Sequence, residues 1–453
     1  MNADGKETEK TRIKPRILSG FRDFRPEVMI PRERMIETAK QVYRAYGFAP
    51  IDTPTLEYLD ILLGKGGDES DKQMYRFTDN GGREVGMRFD LTVPLARFVA
   101  QHSNDLGLPF KRYHIALVWR GERQQFGRYR EFMQCDFDCI GSLHVSSDIE
   151  TALVIDDLLH SLGFDRFTIR LNSRQILNGI LETVGLLDKS VAVLRSLDKL
   201  GKVDRTAVIE EMEEKAGASR TEAENILKLA DLNGSNQQIL RDLEPMVRGN
   251  EVGETGLARL HAIVDGFEAA GANGARIKID VSIARGLAYY TGAVFETVLD
   301  DLPGIGSVCS GGRYDDLAGV YTKQELPGIG ASLGLDRLLA AQEKLGMIPE
   351  VQTPAQIFIP YFDKTGLHQY LKLAGDLRRA GLRVEVYPEA KKLGQQLKYA
   401  DRRGFVVAII QGRDEFEQGV CQVKDLRSGD QNEVVTDDLQ VLVQHLNDLL
   451  SVE

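Results

Sequence analysis

The segment from residue 110 to 141, FKRYHIALVWRGERQQFGRYREFMQCDFDCIG, constrains the fold of this chain more than any other. It contains two runs of β-forming residues, joined by a loop that is too long and too charged for a tight hairpin, and therefore predicts two strands. Alternate residues of a strand fall on opposite faces. One face of the second strand would carry Arg130, Phe132, Gln134, Asp136 and Asp138, and the other Met133, Cys135, Phe137 and Cys139. Two acids, an amide and an aromatic ring in one line are unusual for packing alone.

The size and composition of the chain limit its class. With 453 residues it exceeds what one hydrophobic core usually supports, so we expect two or three domains. Hydrophobic residues make up 42% and charged residues 28%, and no apolar run reaches the roughly 18 residues that a membrane-spanning helix needs. The first 17 residues are polar, lack the apolar core of a secretory signal and predict a disordered tail. The expectation is a cytoplasmic globular protein.

Three features of the sequence limit the kinds of binding site that the chain can have: the spacing of its cysteines, its net charge and its glycine-rich segments. The cysteines at 135, 139, 309 and 421 form no CxxC pair and no zinc-ligand spacing, and we interpret them as buried free thiols. The net charge of −11 argues against indiscriminate nucleic-acid binding but is compatible with a local basic surface. No GxxxxGK[ST] loop is present and GIGASLG lacks the Rossmann spacing, so a bound nucleotide would be held by other means.

Helical and extended patterns alternate in the first hundred residues. Residues 31–46 carry apolar residues at helical spacing, Gly47 is expected to end that helix, and FAPIDTPTLE continues as an extended segment interrupted by prolines. In REVGMRFDLTVPLARF, the polar residues Arg88, Asp90 and Thr92 alternate with apolar ones. This alternation predicts a strand that runs through Val93, with one polar face and one core face.

The pattern changes twice in the rest of the chain. Between about residues 172 and 268, segments rich in Leu, Ala, Glu and Lys predict an inserted helical domain. β-Rich segments follow, and GIGASLGLDRLLAAQEKLG predicts a glycine-rich strand turning into a helix. After a hinge at residues 349–354, apolar strands alternate with amphipathic helices over about 100 residues, which predicts a small α/β domain with a mixed sheet.

Several arginines stand at the ends of predicted strands or helices. Arg120 and Arg123 flank Glu122 in the loop of the strand pair, Arg337 opens the LDRLLAAQ helix, and Arg285 lies among small and apolar residues in SIARGLAYYTGAVFE. Each alone is most often a solvated or salt-bridged surface residue. Because guanidinium groups match phosphate oxygens bidentately, their convergence would make a polyphosphate site. Arg285 by itself fits either a structural ion pair or an anion-binding site.

Five motifs, VWRGERQ, GRYREFMQCDFD, RGLAYYTG, CSGGRYDDL and GASLGLDRL, resemble those of histidyl-tRNA synthetases in order and spacing. The likeness runs from about residue 18 to 430 and includes GFRDFRPEVM near the start and QVKDLRSGDQ near the end. This family of class II aminoacyl-tRNA synthetases implies an α+β fold, with an antiparallel-sheet catalytic core, a helical insertion and a small C-terminal α/β anticodon-binding domain. The implied boundaries are a tail at 1–17, a catalytic domain at 18–352 and an anticodon-binding domain at 353–453.

The resemblance also implies an activity and its partners. A histidine–tRNA ligase uses ATP with Mg²⁺ to convert L-histidine to histidyl-adenylate, and then transfers the histidyl group to the 3′ end of tRNA(His). The helix at 31–46 and the segment with Pro54 would form a homodimer interface, and no metal ligand in the chain is implied. The C-terminal domain would bind tRNA, in agreement with eight Lys or Arg against four Asp or Glu in residues 376–403.

Functional residues of the family fall on definite positions of this chain, motif by motif. Arg120 and Arg285 would be catalytic, with Arg285 against the α-phosphate of ATP. ATP would be bound by Arg120, Glu122, Phe132 and Arg337. Histidine would be bound by Asp90, Thr92, Gln134, Asp138, Arg285, Tyr289 and Tyr290, with Asp138 and Tyr290 facing the imidazole. The reaction needs positioning and charge compensation but no general base, because the histidine carboxylate is already a nucleophile.

Two positions depart from the family pattern, and two alternative functions stay open. Ala288 stands where many members have an aspartate, and RQQFGR replaces the common sequence of the motif 2 loop. One alternative is a synthetase-like regulatory subunit of histidine biosynthesis, but such proteins lack the anticodon-binding domain and tend to lose the catalytic arginines. The other alternative is an RNA-sensing module without ligase activity.

Overall fold

A computed structural model describes residues 13–63, 72–197, 199–200, 203–283, 289–348 and 352–451. Arg285 and Ala288 lie outside these residues. Contacts between Cα atoms divide the chain into two compact units. Residues 35–345 form the first unit with the chain up to Arg22, and residues 23–34 form the second with residues 346–453. The functional boundaries expected at residues 18 and 352 stay a prediction.

The strands are numbered in chain order. They are Ala49–Pro50 (β1), Leu56–Tyr58 (β2), Arg76–Thr78 (β3), Glu84–Met87 (β4), Phe110–Trp119 (β5), Glu131–Ile140 (β6), Phe167–Ser173 (β7), Ile277–Ile279 (β8), Ala293–Leu299 (β9), Ser307–Arg313 (β10), Gly328–Gly334 (β11), Ile357–Ile359 (β12), Val384–Val386 (β13), Val407–Ile410 (β14), Val420–Asp425 (β15) and Gln431–Val435 (β16).

The helices are identified by their bounds. They are Pro26–Ala45, Leu59–Leu62, Thr92–His102, Val145–Ser161, Arg174–Thr183, Ser190–Leu197, Arg205–Ala216, Arg220–Ala230, Asn236–Val247, Glu251–Ala269, Leu335–Lys344, Leu367–Arg379, Leu393–Arg403, Arg413–Gln418 and Leu439–Ser451. Short 3₁₀ helices span Leu187–Lys189, Gly274–Arg276, Pro303–Ile305 and Ala318–Val320. The first helix begins at Pro26, earlier than the predicted start at residue 31.

An eight-stranded sheet is the centre of the first unit, with the strand order β1-β5-β6-β11-β10-β9-β7-β8. The inner strands, from β5 to β7 in that order, pair antiparallel. At the two edges, β1 and β8 pair parallel to their neighbours. A smaller sheet of β2, β4 and β3 belongs to the same unit. The predicted α+β class is confirmed, and the antiparallel core gains a parallel strand at each edge.

The strand pair predicted from residues 110–141 is present as β5 and β6. On one face of β6, Cys135 and Phe137 are fully buried, and the ring of Phe137 packs against that of Tyr43 with centroids 5.3 Å apart. The opposite face carries Gln134, Asp136 and Asp138 into a cavity. The alternation in sequence thus separates a core face from a polar face, as predicted.

Strand register extends the polar face of β6 across the sheet, because residues paired directly on neighbouring strands have side chains on the same face. One row of such pairs consists of His114, Asp136, Ser332, Ser310, Glu296 and Arg170. The next row includes Arg112, Asp138, Gly330 and Gly312. The polar floor of the cavity is therefore assembled from strands that are far apart in sequence.

The strand predicted through Val93 is wrong beyond Met87. β4 ends at Met87, and a helix begins at Thr92. Asp90 explains the change, because its Oδ1 accepts hydrogen bonds from the backbone N–H groups of Thr92 (3.2 Å) and Val93 (3.0 Å). Such N–H groups in the first turn of a helix have no partner within the helix, so a carboxylate there favours helix initiation.

The helical insertion predicted at about 172–268 is represented by the helices between β7 and β8. Helix Arg220–Ala230 is typical: Ser219 and Glu222 form a capping box at its start, and Ile226 and Leu227 on its inner face are buried. None of the helices in the described ranges is both long and apolar enough to cross a membrane. All four cysteines are free and buried, as predicted.

A five-stranded sheet forms the second unit, in the order β13-β12-β14-β15-β16. β13, β12 and β14 are parallel, whereas β15 and β16 continue the sheet antiparallel. Buried residues such as Ile357, Val407 and Leu442 form its core. The mixed α/β sheet predicted here is confirmed, although the sequence pattern did not indicate helix Arg413–Gln418 or strand β16.

Candidate active site

A cavity of about 660 Å³ lies over the polar face of the large sheet. It is lined by every predicted site residue that the structure describes: Asp90, Thr92, Arg120, Glu122, Phe132, Gln134, Asp138, Tyr289, Tyr290 and Arg337. Arg285 is the predicted residue that lies outside the described ranges. We call Asp90, Asp136 and Asp138 the acidic end of the cavity, and Arg120, Arg128 and Arg337 its basic end.

At the acidic end, Asp138 is held by two groups of the protein. Its Oδ2 lies 2.7 Å from Nη2 of the fully buried Arg112, and its Oδ1 accepts a hydrogen bond from the hydroxyl of Tyr314. Burial raises the pKa of Asp138, and Arg112 and Tyr314 oppose that rise. Gly330 leaves the space that this carboxylate needs, since a Cβ at that position would lie 2.2 Å from Asp138 Oδ1.

Asp90 enters the acidic end from the turn before helix Thr92–His102. It is buried, and the two N–H groups at the start of that helix bind its Oδ1. Burial raises the pKa of Asp90, while the N–H group of Val93, the charge of Arg120 and the N–H group of Thr92 lower it. Asp90, like Asp138, thus has fixed partners within the protein.

Asp136 completes the acidic end, although sequence reasoning placed it on the polar face without assigning it a role. It lies between Gln134 and Asp138 on β6 and is buried. Burial raises the pKa of Asp136 to about 7, and the negative charge of Asp138 adds to the rise, whereas the positive charge of Arg112 and a hydrogen bond with the Ser332 side chain lower it. On the adjacent strand, the Ser332 hydroxyl accepts a hydrogen bond from Nε2 of Gln134 (2.8 Å).

Three tyrosines form an aromatic wall at the acidic end. The rings of Tyr289 and Tyr290 meet edge to face with centroids 5.2 Å apart, and those of Tyr289 and Tyr314 are 6.0 Å apart. Burial beside the carboxylates raises the pKa of all three hydroxyls, so they are neutral at physiological pH. Apolar rings with hydroxyl tips suit a small ligand that is itself flat and carries hydrogen-bonding edges.

At the basic end, Arg120 is held by aromatic rings. Its guanidinium carbon lies 4.3 Å from the ring centroid of Phe89 and 5.2 Å from that of Phe132, and its Nε donates to the carbonyl oxygen of Phe89 (3.1 Å). Among the described residues, no carboxylate forms a salt bridge with Arg120. The rings therefore orient the guanidinium without neutralising it.

Arg337 lies at the start of helix Leu335–Lys344 and donates a hydrogen bond from Nη1 to the carbonyl oxygen of Ser307. Burial, with the positive charges of Arg128 and Arg120, lowers the pKa of Arg337 to about 10. A buried cation close to other cations is unfavourable unless an anion binds beside it. This end of the cavity is consequently suited to a polyanion.

The loop between β5 and β6 supplies a different set of arginines from the one expected. Glu122 lies 3.6 Å from Nη1 of Arg128, and both residues line the cavity. Arg123 is exposed and is not among the described residues that line the cavity. The structure thus brings Arg120, Arg128 and Arg337 together and leaves Arg123 outside.

Sequence reasoning missed Arg112, Arg128, Tyr314 and the contribution of Asp136. Arg112 did leave a signal, because Arg112 and His114 alternate on β5 opposite the acids of β6, and opposite charges tend to pair across antiparallel strands. Tyr314 left none, since it reaches Asp138 from 176 residues away.

The carboxylates that line the cavity are candidates for binding a metal ion. Within the described ranges, no three His, Cys, Asp or Glu side chains are grouped as ligands of a metal ion. Glu296 lines the cavity and lies close enough to Arg337 to affect its pKa. Mg²⁺ is commonly held by one or two carboxylates together with nucleotide phosphates, so Glu296 fits an ion that arrives with a nucleotide.

Comparison with known proteins relates most of the chain to one family. The model of histidyl-tRNA synthetase matches residues 20–338, and that of an anticodon binding domain matches residues 356–446. A histidine–tRNA ligase of Rhodopirellula baltica is 61% identical over 422 residues, which cover 93% of this chain and 96% of that protein. One of Wolinella succinogenes is 46% identical over 433 residues, covering 94% and 97%.

Solved structures are similar over the same length. The histidyl-tRNA synthetase from Nostoc sp. PCC 7120 has a TM-score of 0.86 at 33% identity, covering 96% of this chain and all of that one (100%). A Bacillus halodurans structure described as an ATP phosphoribosyltransferase regulatory subunit/histidyl-tRNA synthetase has a TM-score of 0.74 at 23% identity and shares the fold.

Proposed function

Since the chain belongs to the histidyl-tRNA synthetase family, we propose that its cavity is where histidine and ATP react. The chain is a histidine–tRNA ligase, which forms histidyl-adenylate and pyrophosphate and then transfers the histidyl group to the 3′ end of its tRNA. One observation carries the placement: a single cavity has a buried acidic end and a half-buried basic end. An amino acid with a cationic group and a polyanionic nucleotide complement these two ends.

In this proposal the acidic end binds histidine. Asp138 and Tyr290 face the imidazole, and Arg112 with Tyr314 holds the Asp138 carboxylate in position. Tyr289 supplies the aromatic wall. The α-ammonium group is bound by Asp90, Thr92 and Gln134.

The basic end binds ATP. Arg120 and Arg337 contact the phosphates, Phe132 stacks on the adenine, and Glu122 lies at the adenine edge. The contact of Arg120 with the Phe132 ring supports this arrangement, because the nucleotide base and the phosphate-binding arginine then share one aromatic wall. Arg285 is assigned to the α-phosphate by the resemblance of RGLAYYTG to the family motif.

Adenylate formation then needs no proton transfer. The histidine carboxylate attacks the α-phosphorus, and the bond to the bridging oxygen of pyrophosphate breaks in line. Arg120, Arg285 and Arg337 compensate the negative charge that builds on the phosphates. Mg²⁺ bound with ATP supplies further charge compensation, and Glu296 is the residue we assign to hold it. The protein's own part is to orient the substrates and to stabilise charge.

Exchange of pyrophosphate into ATP tests this placement. Gln134→Ala should raise the KM for histidine about tenfold with little change in the KM for ATP, because one hydrogen bond to the amino acid is lost. Arg120→Ala should raise the KM for ATP and lower kcat. Arg259, which pairs with Asp148 at 3.2 Å, provides the control, and Arg259→Ala should change neither KM. Unchanged kinetics in both cavity variants would place the reaction elsewhere.

We also propose that the chain forms a cytoplasmic homodimer. The sheet of β2, β4 and β3 presents Leu56, Tyr58 and Phe77 on one face, with 45%, 54% and 46% of their surface exposed. Exposed apolar side chains grouped on one face are typical of protein interfaces. Sedimentation should give twice the monomer mass for the wild type and the monomer mass for Tyr58→Asp. A monomeric wild type would contradict the proposal.

For the functional boundaries we retain 18–352 and 353–453, with the second domain contacting the anticodon region of tRNA(His). Lys398 and Arg402 are exposed on helix Leu393–Arg403. In the full-length chain, Lys398→Glu with Arg402→Glu should raise the KM for tRNA and reduce the salt dependence of binding by about one phosphate contact per residue. Pyrophosphate exchange should be unchanged. An unaltered KM for tRNA would assign these cations another role.

A further inference from the structure

One carboxylate oxygen at the acidic end has no role in the arrangement just proposed. Asp90 and Asp138 are each bound by fixed groups of the protein. Oδ2 of Asp138 lacks a hydrogen bond but lies 2.7 Å from the Arg112 guanidinium, whereas the buried Oδ1 of Asp136 has no hydrogen bond, and Asp136 forms no salt bridge, within the part of the chain that the structure describes. Gln134 lies two residues away on the same face of β6, and its buried Oε1 also lacks a partner there. Both residues line the cavity.

We propose that Asp136 is a further histidine-binding residue, which binds the α-ammonium group together with Gln134 and releases a proton to solvent when histidine enters. The inference rests on the proposed placement of histidine at the acidic end. It gives Asp136 a direct contact with the substrate and a change of protonation state.

Two free acceptors on one strand face suit an ammonium group. Residues two apart on a strand are separated by about 7 Å along it, so their side-chain tips can converge on one ligand atom. An ammonium group has three N–H donors and no acceptor, whereas the two N–H groups of an imidazolium ring diverge. The bond from Gln134 Nε2 to Ser332 fixes the amide, which leaves Oε1 as its free atom.

Charge in the surroundings of Asp136 comes from several elements. The charged or titratable groups around it are Arg112 and His114 on β5, Asp138 on β6, Arg88 and Asp90 after β4, Tyr289 and Tyr290 before β9, Cys309 on β10, and Tyr43 on the first helix. Arg112 is already paired with Asp138 at 2.7 Å, and burial lowers the pKa of His114 to about 4, which keeps its ring neutral.

These surroundings favour a protonated Asp136 in the free protein. Burial raises the pKa of this carboxyl to about 7, so it is substantially protonated at or below neutral pH. A bound ammonium group supplies a positive charge beside Oδ1 and stabilises the ionised form. The O–H bond of Asp136 then breaks, its proton passes to solvent, and the carboxylate accepts an N–H of the substrate. Histidine affinity should consequently increase as the pH rises from 6 to 8.

Calorimetric titration of the full-length protein with histidine measures the released proton when buffers of different ionisation enthalpy are compared. At pH 6.5, the wild type should release about 0.7 proton per histidine more than Asp136→Asn. At pH 8.5, the two proteins should differ by less than about 0.1 proton. Subtracting the variant removes the contribution of the imidazole of histidine. Equal release by the two proteins at pH 6.5 would overturn the proposal.

The affinity for histidine distinguishes a failure of this inference from a failure of the proposed histidine site. At pH 8, Asp136→Asn should weaken histidine binding about tenfold and leave the Kd for ATP within about twofold. Asp138→Asn is the matched variant, with the same change on the same strand face. Weaker histidine binding in Asp138→Asn alone would overturn the role of Asp136 and leave the site in place. Unchanged histidine binding in both variants would overturn the site as well.

A pair of ligands tests the same point in the unaltered protein and does not depend on the folding of a variant. Histidinol keeps the ammonium group and the imidazole of histidine, whereas imidazolelactate has a hydroxyl in place of the ammonium. At saturating concentrations and pH 6.5, histidinol should release the extra proton and imidazolelactate should not. Equal release by both ligands would show that the imidazole displaces the proton, which contradicts the proposal.

Discussion

The acidic end of the cavity is buried and the basic end is half-buried, and loss of hydration shifts the pKa values at the two ends in opposite directions. It raises the pKa of Asp90, Asp136 and Asp138, and it lowers that of Arg337 to about 10. In both cases the ionised side chain is less stable than it would be in water until a ligand of opposite charge binds. One cavity thus offers two desolvated charges of opposite sign, each suited to a different substrate.

The ends differ in how far the protein itself balances their charge. Asp138 has a buried guanidinium at 2.7 Å, whereas no carboxylate of the described residues forms a salt bridge with Arg120 or Arg337. The acidic end is therefore largely formed before histidine arrives. At the basic end, Arg128 lies 3.6 Å from Glu122, whereas Arg120 and Arg337 keep their charge for the proposed contacts with phosphates, whose negative charge redistributes during the reaction. Substitutions at the acidic end should act on histidine affinity, and those at the basic end on rate.

The largest effect is expected for Arg285→Ala, because the family resemblance assigns this residue to the α-phosphate of ATP. Loss of one preorganised contact to the α-phosphate should lower the rate of adenylate formation about 10²- to 10³-fold. Equilibrium binding of ATP should weaken less, because Arg120 and Arg337 still contact the phosphates in the proposed arrangement. Arg285→Lys should recover part of the rate, since lysine keeps the charge but lacks the planar fork. Single-turnover adenylation and equilibrium ATP binding measure the two quantities.

Arg259→Ala is the matched control for a structural ion pair. Arg259 contacts Asp148 and is not among the described residues that line the cavity. Its loss should lower Tm and leave turnover in the folded fraction near that of the wild type. If Arg285→Ala behaved in the same way, Arg285 would be a structural residue and the contrast between the ends would rest on the other arginines.

A smaller effect is expected for Asp138→Asn, at the acidic end. One buried charge-assisted hydrogen bond contributes about 1.5 to 3 kcal/mol, so the KM for histidine should rise about 10- to 100-fold. ATP binding should be unchanged. Arg112 would lose its ionic partner, so Tm should also fall. Weaker ATP binding with an unchanged KM for histidine would reverse the assignment of the two ends.

Two glycines on β11 allow the two ends of the cavity to be compared by the addition of a single methyl group. A Cβ at Gly330 would lie 2.2 Å from Asp138 Oδ1, whereas the nearest contact of a Cβ at Gly334, close to Arg337, would be 3.6 Å. A Cβ at Gly330 would also lie 2.3 Å from the backbone oxygen of Phe137, so Gly330→Ala must displace both groups and should raise the KM for histidine about tenfold and lower Tm. Gly334→Ala should change neither KM by more than about twofold. Equal effects in steady-state kinetics would show that the position of Asp138 does not set histidine affinity.

The sequence predicts the parts of this site in which residues close together in the chain interact, and it does not predict contacts between residues far apart in the chain. Phe132, Gln134 and Asp138 were placed on one face correctly, because residues of one strand follow a period of two. The helix start at Thr92 was missed, because Asp90 acts through two backbone N–H groups and leaves the alternation of polar and apolar residues unchanged. Local periodicity therefore predicted the face but not the turn.

Contacts between distant segments could not be read from any pattern. Arg112 meets Asp138 through the register of β5 and β6, and Tyr314 reaches the same carboxylate from 176 residues away. The second unit is the opposite case, because its apolar strands and amphipathic helices alternate locally and its mixed sheet was predicted from that pattern. There, only short elements such as helix Arg413–Gln418 were missed.

An effect on stability, which needs no substrate, distinguishes the two ends by its dependence on pH. Asp136 has a pKa of about 7 in the folded protein and about 3.9 in an unfolded chain, so the folded state binds more protons between these values. Stability from this group is complete below about pH 4 and is lost as the pH rises through 7. The free energy of unfolding of the wild type relative to Asp136→Asn should therefore fall by about 1 kcal/mol per pH unit between pH 5 and 6.5. Arg337→Gln should give a constant difference over this range, because the pKa of Arg337 is lowered only to about 10. Denaturant unfolding at a series of pH values measures both differences in the free energy of unfolding. If the difference between wild type and variant changed with pH for Arg337→Gln but not for Asp136→Asn, burial would not act on the two ends in opposite directions.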